Sequence, residues 1–315
     1  MGKILCTGFL LLKINQKMID YIKGYFKDKE QVFRHINSTY GMNSIHYSRF
    51  NKKQQVMINH DSHFKDFYNL NFKITNQKGL VENSLHVLHN NMNGAEKNRN
   101  DNDFSYSNLL SSLDFVKDIS DYSLDDIDLS QKLEFGFNLE VHFDVDNFIL
   151  NDCVLLNYKP HTWEENTETK TLRSFTTGYY RLKIYNKSKQ FSLPNPLLRI
   201  ELKFLDKRGF NDLGIYTMSD LANKENLYKI YNLMYSLIDT KLMIVDNIEN
   251  RNFSDYKNRK LYRYCSPKFW NELPKDLLKS EKLKCQNMFC KNNLFTNKKT
   301  LLELMESKFY ELIDK

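Results

Sequence analysis

Apolar and polar residues alternate with period two in four segments of the chain, the pattern of a half-buried strand. In Leu133–Phe143 the odd positions are Leu133, Phe135, Phe137, Leu139, Val141 and Phe143, against Glu134, Gly136, Asn138, Glu140 and His142. Tyr180, Leu182 and Ile184 alternate with Arg181, Lys183 and Tyr185. Leu198, Ile200, Leu202 and Phe204 alternate with Arg199, Glu201 and Lys203. A shorter strand is predicted over Ser84–His89, where Leu85 and Val87 flank His86. Successive strand side chains point to opposite faces, so each long segment has a core side and a charged side. Two readings of the charged side stay open: a catalytic platform, or an ordinary solvated sheet face.

The second half changes period. Leu227, Ile230, Tyr231, Met234, Leu237 and Ile238 recur at spacings of three and four, predicting a helix over Lys224–Asp239. Leu301, Leu304, Met305, Phe309 and Leu312 predict another, and Lys268–Phe289 reads as one basic helix. Thr217 and Ser219 are candidate N-caps for a short helix through Leu221. Strands first and helices later predict an α+β fold. The expected architecture is an antiparallel central β-sheet with helices packed on one face, followed by a helical C-terminal region. The expected division is a sheet-bearing part over residues 1–245 and a basic helical part over 246–315, either a region of its own or part of the same domain. The polar stretches Asn90–Asp103 and Asn166–Lys170 read as loops, and Asp118–Ser130 as loop or helix end.

Composition bounds the class. With 315 residues and 41% hydrophobic residues, the chain can bury a substantial core. No apolar run approaches a membrane span, and Gly8–Leu12 is too short for the core of a leader. The five cysteines (Cys6, Cys153, Cys265, Cys285, Cys290) form no CxxC pair. Neither a disulfide framework nor a structural zinc site is expected, and a reducing cytoplasm is. The net charge of +7 is unevenly spread: residues 1–250 balance, residues 251–299 hold 13 basic against 4 acidic side chains, and residues 101–150 hold 12 acids and 2 bases.

Three strand-borne elements stand together: Leu133-Glu134-Phe135-Gly136-Phe137-Asn138, Lys183-Ile184-Tyr185-Asn186-Lys187-Ser188-Lys189-Gln190 and Leu198-Arg199-Ile200-Glu201-Leu202-Lys203. In these the chain resembles the rolling-circle replication initiators of small plasmids and filamentous phages, the gene II type. Asp212-Leu213-Gly214-Ile215, Ser219-Asp220-Leu221 and the upstream Asn83-Ser84-Leu85-His86 extend the likeness over roughly residues 80–245. The first 70 residues and the last 65 add little to it.

The resemblance implies a DNA-nicking transesterase with a tyrosine nucleophile. Tyr185 is the matching position and would form a 5′-phosphotyrosine bond. A free phenol has a pKa of about 10 and attacks weakly at neutral pH, so Lys183 and Lys187, with Arg181, are the expected stabilising cations. The resemblance also implies a divalent metal, Mg²⁺ or Mn²⁺, acting on the scissile phosphate. Glu201 and Glu134 are the expected ligands, and salt bridges to Arg199 or Lys203 are their structural alternative. His86 is a further candidate ligand and His142 a weaker one. On a strand, the spacing of His86 and His89 would put their rings on opposite faces. Gln190 stands where many relatives have Glu, and no second catalytic tyrosine is evident.

Bases attract the phosphate backbone and aromatics stack on unpaired bases. The expected DNA contacts are Arg259, Lys260, Arg263 and Lys268 in the basic segment, together with Arg181, Lys189 and Arg199 on the strands. The reading is a replication initiator of a phage or plasmid, acting in the cytoplasm of a bacterial host on origin DNA with the host helicase and polymerase, and not on a membrane. The alternatives are a mobilisation relaxase or transposase with the same chemistry, and a non-enzymatic DNA-binding protein on a degenerate scaffold.

Overall fold

A computed structural model of the chain describes residues 18–51, 55–96, 98–248 and 251–314; Cys6 and Gly8–Leu12 lie outside them. In chain order the elements are β1 (Ile19–Phe26), α1 (Lys29–Tyr40), β2 (Asn43–Asn51), β3 (Val56–Phe67), β4 (Leu70–Thr75), β5 (Gly79–Ser84), α2 (Leu85–Met92) and α3 (Tyr106–Ser120). There follow β6 (Ile127–Leu129), β7 (Glu134–Glu140), the short turn α4 (Val145–Asn147), β8 (Cys153–Leu156), β9 (Trp163–Thr167), β10 (Lys170–Thr177), β11 (Tyr180–Asn186), α5 (Lys187–Phe191), β12 (Leu197–Phe204) and the short α6 (Lys207–Asn211). The last elements are α7 (Lys224–Ser236), β13 (Leu242–Ile244), α8 (Asp255–Cys265), α9 (Pro267–Glu272), α10 (Lys275–Lys291) and α11 (Thr296–Asp314). The fold is α+β.

One antiparallel sheet runs in the order β2-β3-β4-β5-β1-β7-β12-β11-β10-β9, with β6 added beside β1. The three long alternating segments become the adjacent central strands β7, β12 and β11. Their apolar phase is as the sequence predicts. Phe135, Phe137, Leu182, Ile184, Leu198, Ile200 and Leu202 are all buried in one core with α3, α7 and α11. The tightest part of that core is aromatic: Phe309 of α11 stacks on Tyr231 at 4.1 Å and meets Tyr228 and Phe137 edge-on.

Three element assignments differ from the sequence reading. The stretch Asp118–Ser130, which reads as loop or helix end, also contains the strand β6 paired with β1. Ser84–His89 is not a strand: β5 ends at Ser84, whose side chain accepts the backbone N–H of Val87 and caps α2. An N-cap serine before an apolar run is a helix-start signal, and it outweighs the short period-two match. Lys268–Phe289 is two helices rather than one. Pro274 presses the preceding Leu273 into an extended conformation, which ends α9, and α10 begins after it.

Helices α8–α10 build a second apolar cluster around Leu261, Tyr264, Trp270 and Phe289, seated on Leu155 and Val245 beside the β8–β13 pair. Helix α11 returns to the main core through Leu301, Met305, Phe309, Leu312 and Ile313. Truncating Phe309 to Ala should therefore cost the sheet-bearing part about 3–5 kcal/mol. Urea unfolding followed by circular dichroism checks this, and an unchanged midpoint would detach α11 from the sheet.

Candidate active site

The polar face of the central strands is assembled by register. Across β12 and β7, Lys203 lies opposite Glu134, Glu201 opposite Gly136 and Arg199 opposite Asn138. Across β11 and β12, Lys183 lies opposite Glu201 and Tyr185 opposite Arg199. Gly136 is the close-packed point of this layer. A Cβ there would stand 2.3 Å from the Ile200 carbonyl oxygen and 2.9 Å from the Glu201 Cα, and 3.2 Å from the Arg199 guanidinium carbon, so only glycine fits against the neighbouring strand here.

A bulge in β1 adds the next component. Ile19 pairs with Phe135 and Tyr21 with Glu134, leaving Asp20 as the extra residue. Bulges re-aim side chains, and here Asp20 Oδ2 lies 3.3 Å from Arg199 Nη2 while Oδ1 accepts from Ser84 Oγ at 2.6 Å. Arg199 is fully buried, and its Nε is 3.6 Å from Glu201 Oε2. The loop before α3 closes over this layer. Asn100 Nδ2 donates to Asp20 Oδ2 at 3.3 Å, Lys187 Nζ donates to Asn100 Oδ1 at 2.7 Å, and Arg99 lies over the Phe191 ring.

Tyr185 Oη donates to Glu201 Oε2 at 3.3 Å. Lys183 Nζ lies 2.6 Å from Glu201 Oε1 and 3.3 Å from Glu134 Oε1, and Lys203 pairs with Glu134 from the other side. Thus Tyr185, Glu201, Lys183 and Glu134 converge on one sheet face. That face is not a solvated one, since Glu134, Asn138, Lys187, Arg199 and Glu201 are all buried.

The electrostatics follow from that burial. Burial pushes the Tyr185 phenol well above its usual 10, and the Glu201 charge adds to this against Arg199. The side chain is 7% exposed. The neighbouring cations therefore do not leave a ready phenolate, contrary to the simple expectation from Lys183 and Lys187. Burial also raises Glu201, but Lys183 and Arg199 overcome it and hold this carboxyl well below the usual range. Glu134 is shifted up, by burial and then by the Glu201 charge. Lys183 is raised because the two carboxylates outweigh its burial. Lys187, buried and repelled by Arg199, is brought down to about 7.

The expected metal set is not gathered. His86 lies on α2, where its Nε2 meets Asn102 at 2.7 Å and its ring stacks on Phe104. The helix puts His86 and His89 on one side, both against Phe104, rather than on the opposite faces that a strand would impose. His142 is exposed beside Phe143. Among the described residues no group of three or more His, Cys, Asp or Glu side chains is placed to hold a metal ion. The position between Glu134 and Glu201 is held by the Lys183 ammonium, so this donor set does not fit a divalent ion as arranged.

The expected DNA-contacting residues separate into two groups. Arg199 is an interior cation and not a surface contact, because Asp20 and Glu201 pair with it inside the fold. Lys189 pairs with Asp146 at 3.3 Å and Arg181 bonds Thr176 at 3.3 Å, both near the site. Arg259, Arg263 and Lys268 are exposed on α8 and α9. Arg259, Lys260 and Arg263 line a groove with Tyr256, Phe269 and Leu273. Gln190 accepts from Lys187 Nζ at 3.1 Å. Sequence reasoning missed Asp20 and Asn100. An aspartate inside the apolar run from Met18 to Ile22 was a signal for the first, whereas the second sat in what read as an ordinary polar loop.

No family model and no curated protein matches the chain. Among solved structures it is similar to the rolling circle replication initiator protein from Geobacillus stearothermophilus, with a TM-score of 0.42 and 11% identity over 75% of this chain and 89% of that one. A superposition that loose supports no conclusion about activity.

Two outcomes follow from the burial of this cluster. Arg199→Met should destabilise the fold by about 3–5 kcal/mol, since it strands the Asp20 charge; a shift below ~1 kcal/mol in urea unfolding would contradict the pairing. Lys187 has a lowered folded pKa of about 7 against its usual 10.5. Between these values the unfolded chain binds a proton that the folded chain has lost, so stability rises with pH, by up to about 1.4 kcal/mol per unit. Lys187→Met should lack that rise when unfolding is compared at neutral and alkaline pH.

Proposed function

We propose that the chain is a DNA-nicking transesterase that opens one strand at a phage or plasmid origin, so that rolling-circle replication can begin. The observation that carries this reading is the hydrogen bond from Tyr185 Oη to Glu201 within the Lys183-bridged carboxylate pair. It joins residues of three strands whose motifs resemble the gene II type of initiator. In this reading the Tyr185 oxygen attacks the scissile phosphorus in line, and the bond from phosphorus to the 3′ oxygen breaks. The phenolic proton passes to Glu201 and then to the departing 3′ oxygen, leaving a 3′-OH and a 5′-phosphotyrosine bond. Lys183 holds Glu201 in place for both transfers, and Lys187 stands over the Tyr185 ring, 5.4 Å from its centroid.

Origin DNA would be held by Arg181 and Lys189 near the site and by Arg259, Lys260, Arg263 and Lys268 on α8 and α9. The exposed 3′-OH would pass to a host polymerase and the opened duplex to a host helicase, in the bacterial cytoplasm. The Mg²⁺ or Mn²⁺ implied by the resemblance would have to displace Lys183 from between the carboxylates.

The burial of Tyr185 favours a second reading, a DNA-binding protein that keeps the scaffold without cutting. One assay separates the two. The protein is incubated with labelled single-stranded oligonucleotides tiled across the origin of its own replicon, in Mn²⁺, in Mg²⁺ and in chelator. Nicking predicts a denaturant-resistant protein–DNA adduct that is absent in Tyr185→Phe. It also predicts an adduct reduced at least about 100-fold in Glu201→Gln, the scale of one lost acid–base group, with binding retained. Salt-sensitive binding with no adduct in any condition supports the second reading. An equal adduct in Tyr185→Phe removes Tyr185 from the mechanism.

A further inference from the structure

Helix α8 has two faces of different chemistry. Leu261 and Tyr264 are buried in the second apolar cluster. Tyr256, Arg259, Lys260 and Arg263 recur at spacings of three and four, so they form one stripe along another side of the helix. That stripe lines a groove of about 540 Å³ together with Phe269 of α9 and Leu277 of α10. A groove of this size admits a ligand with the bulk of a nucleotide.

Two kinds of surface meet there. The first is cationic. Glu281, the carboxylate that lines the groove, is already engaged: it accepts from Tyr264 Oη at 3.1 Å and pairs with Lys284 at 2.6 Å. Glu272, at the end of α9, lies 3.8 Å from Lys268. The charges of Arg259, Lys260 and Arg263 are therefore available to an anion from outside. The second surface is aromatic and apolar. Tyr256 is 71% exposed and Leu277 is 47% exposed. The Arg263 guanidinium lies over the Phe269 ring, 4.3 Å from its centroid, a flat cation on a flat ring. Tyr264 and Trp270, by contrast, stack on each other inside the fold.

We propose that this groove holds single-stranded DNA, with an unpaired base stacked on Tyr256 and the flanking phosphates on Arg259, Lys260 and Arg263. Cations alone would not select strandedness, because a duplex offers phosphates too. An exposed aromatic ring does select. The face of a base is covered by its neighbours in a stacked duplex and is open in an unpaired strand. The proposal rests on the DNA-nicking reading for its kind of partner and narrows it: the helical part grips the opened strand, using none of the Tyr185 cluster.

The test compares three fluorescein-labelled probes of equal length by anisotropy across a salt series: oligo-dT, the same backbone without bases, and a blunt duplex. Tyr256→Ala should weaken oligo-dT binding about tenfold, the scale of one stacked base, with the slope of log affinity against log salt unchanged. Tyr256→Phe, which keeps the ring, should bind as wild type does. The abasic strand and the duplex should not distinguish wild type from Tyr256→Ala. Arg259→Gln should make the oligo-dT slope shallower by about 0.7, one phosphate contact on a single strand. Both side chains are exposed, so neither substitution should move the melting curve. An equal loss on all three probes would overturn the proposal. So would an oligo-dT affinity that Tyr256→Ala leaves unchanged, the result expected if the groove takes a peptide or a second copy of the chain. The Tyr185-dependent adduct is scored in parallel on origin strands. If no adduct forms in any condition but the Tyr256 effect holds, the nicking reading fails and the groove stands. A normal adduct with no Tyr256 effect removes the groove alone.

Discussion

The buried Arg199 guanidinium is the interaction around which the candidate site is organised. A charge taken out of water needs partners on every side. Here they come from distant parts of the chain: Asp20 from the bulge of β1, Glu201 from its own strand, and Asn138 from β7. A side chain at Gly136 would collide with the Ile200 carbonyl oxygen and the Glu201 Cα of the neighbouring strand, and would crowd the arginine as well. Remove the arginine, and Asp20 loses its partner, Glu201 loses a stabilising charge and the loop that holds Asn100 loses part of its seat. The apolar core on the other side of the sheet does not depend on this network, but the geometry of Tyr185 does.

The same network gives the site its double character. It brings a phenol, two carboxylates and a bridging ammonium within hydrogen-bonding reach, a set of groups through which a proton can move. It also buries the phenol and raises its pKa, which holds Tyr185 in its protonated form. In the folded chain the proton of Tyr185 is directed at a carboxylate kept ionised by Lys183 and Arg199. In the nicking reading proposed above, reactivity would depend on how a phosphate gains access past Lys170 and Lys187, whose ammonium groups lie 5.0 and 5.4 Å from the centroid of the Tyr185 ring. The carboxylates are already neutralised by lysines, so any added cation competes with Lys183 for its place.

Basic character is divided between two places: the lysines beside Tyr185 and the exposed cations of α8 and α9. Only the second stands out in a running charge count. The first is masked by its own carboxylate partners.

Period-two alternation over Leu133–Phe143, Tyr180–Tyr185 and Leu198–Phe204 was enough to name the central strands, their core faces and the polar positions that share the other face. This works because a strand's side-chain period is rigid and one face must be apolar. The amphipathic spacing of α7 and α11 was legible for the same reason. The short apolar run after Asn83 was not, because six residues satisfy either period and the Ser84 cap decides. Whether the polar face met solvent, which strands lay side by side, and how Asp20 and Asn100 reached Arg199 were decided only in three dimensions. Each depends on contacts between residues far apart in the chain, and no local pattern encodes the covering of a charged face by a loop. Residue order determined the strands and the candidate tyrosine; tertiary packing determined that the tyrosine sits beneath a closed ionic layer, where burial and neighbouring charge set its chemistry.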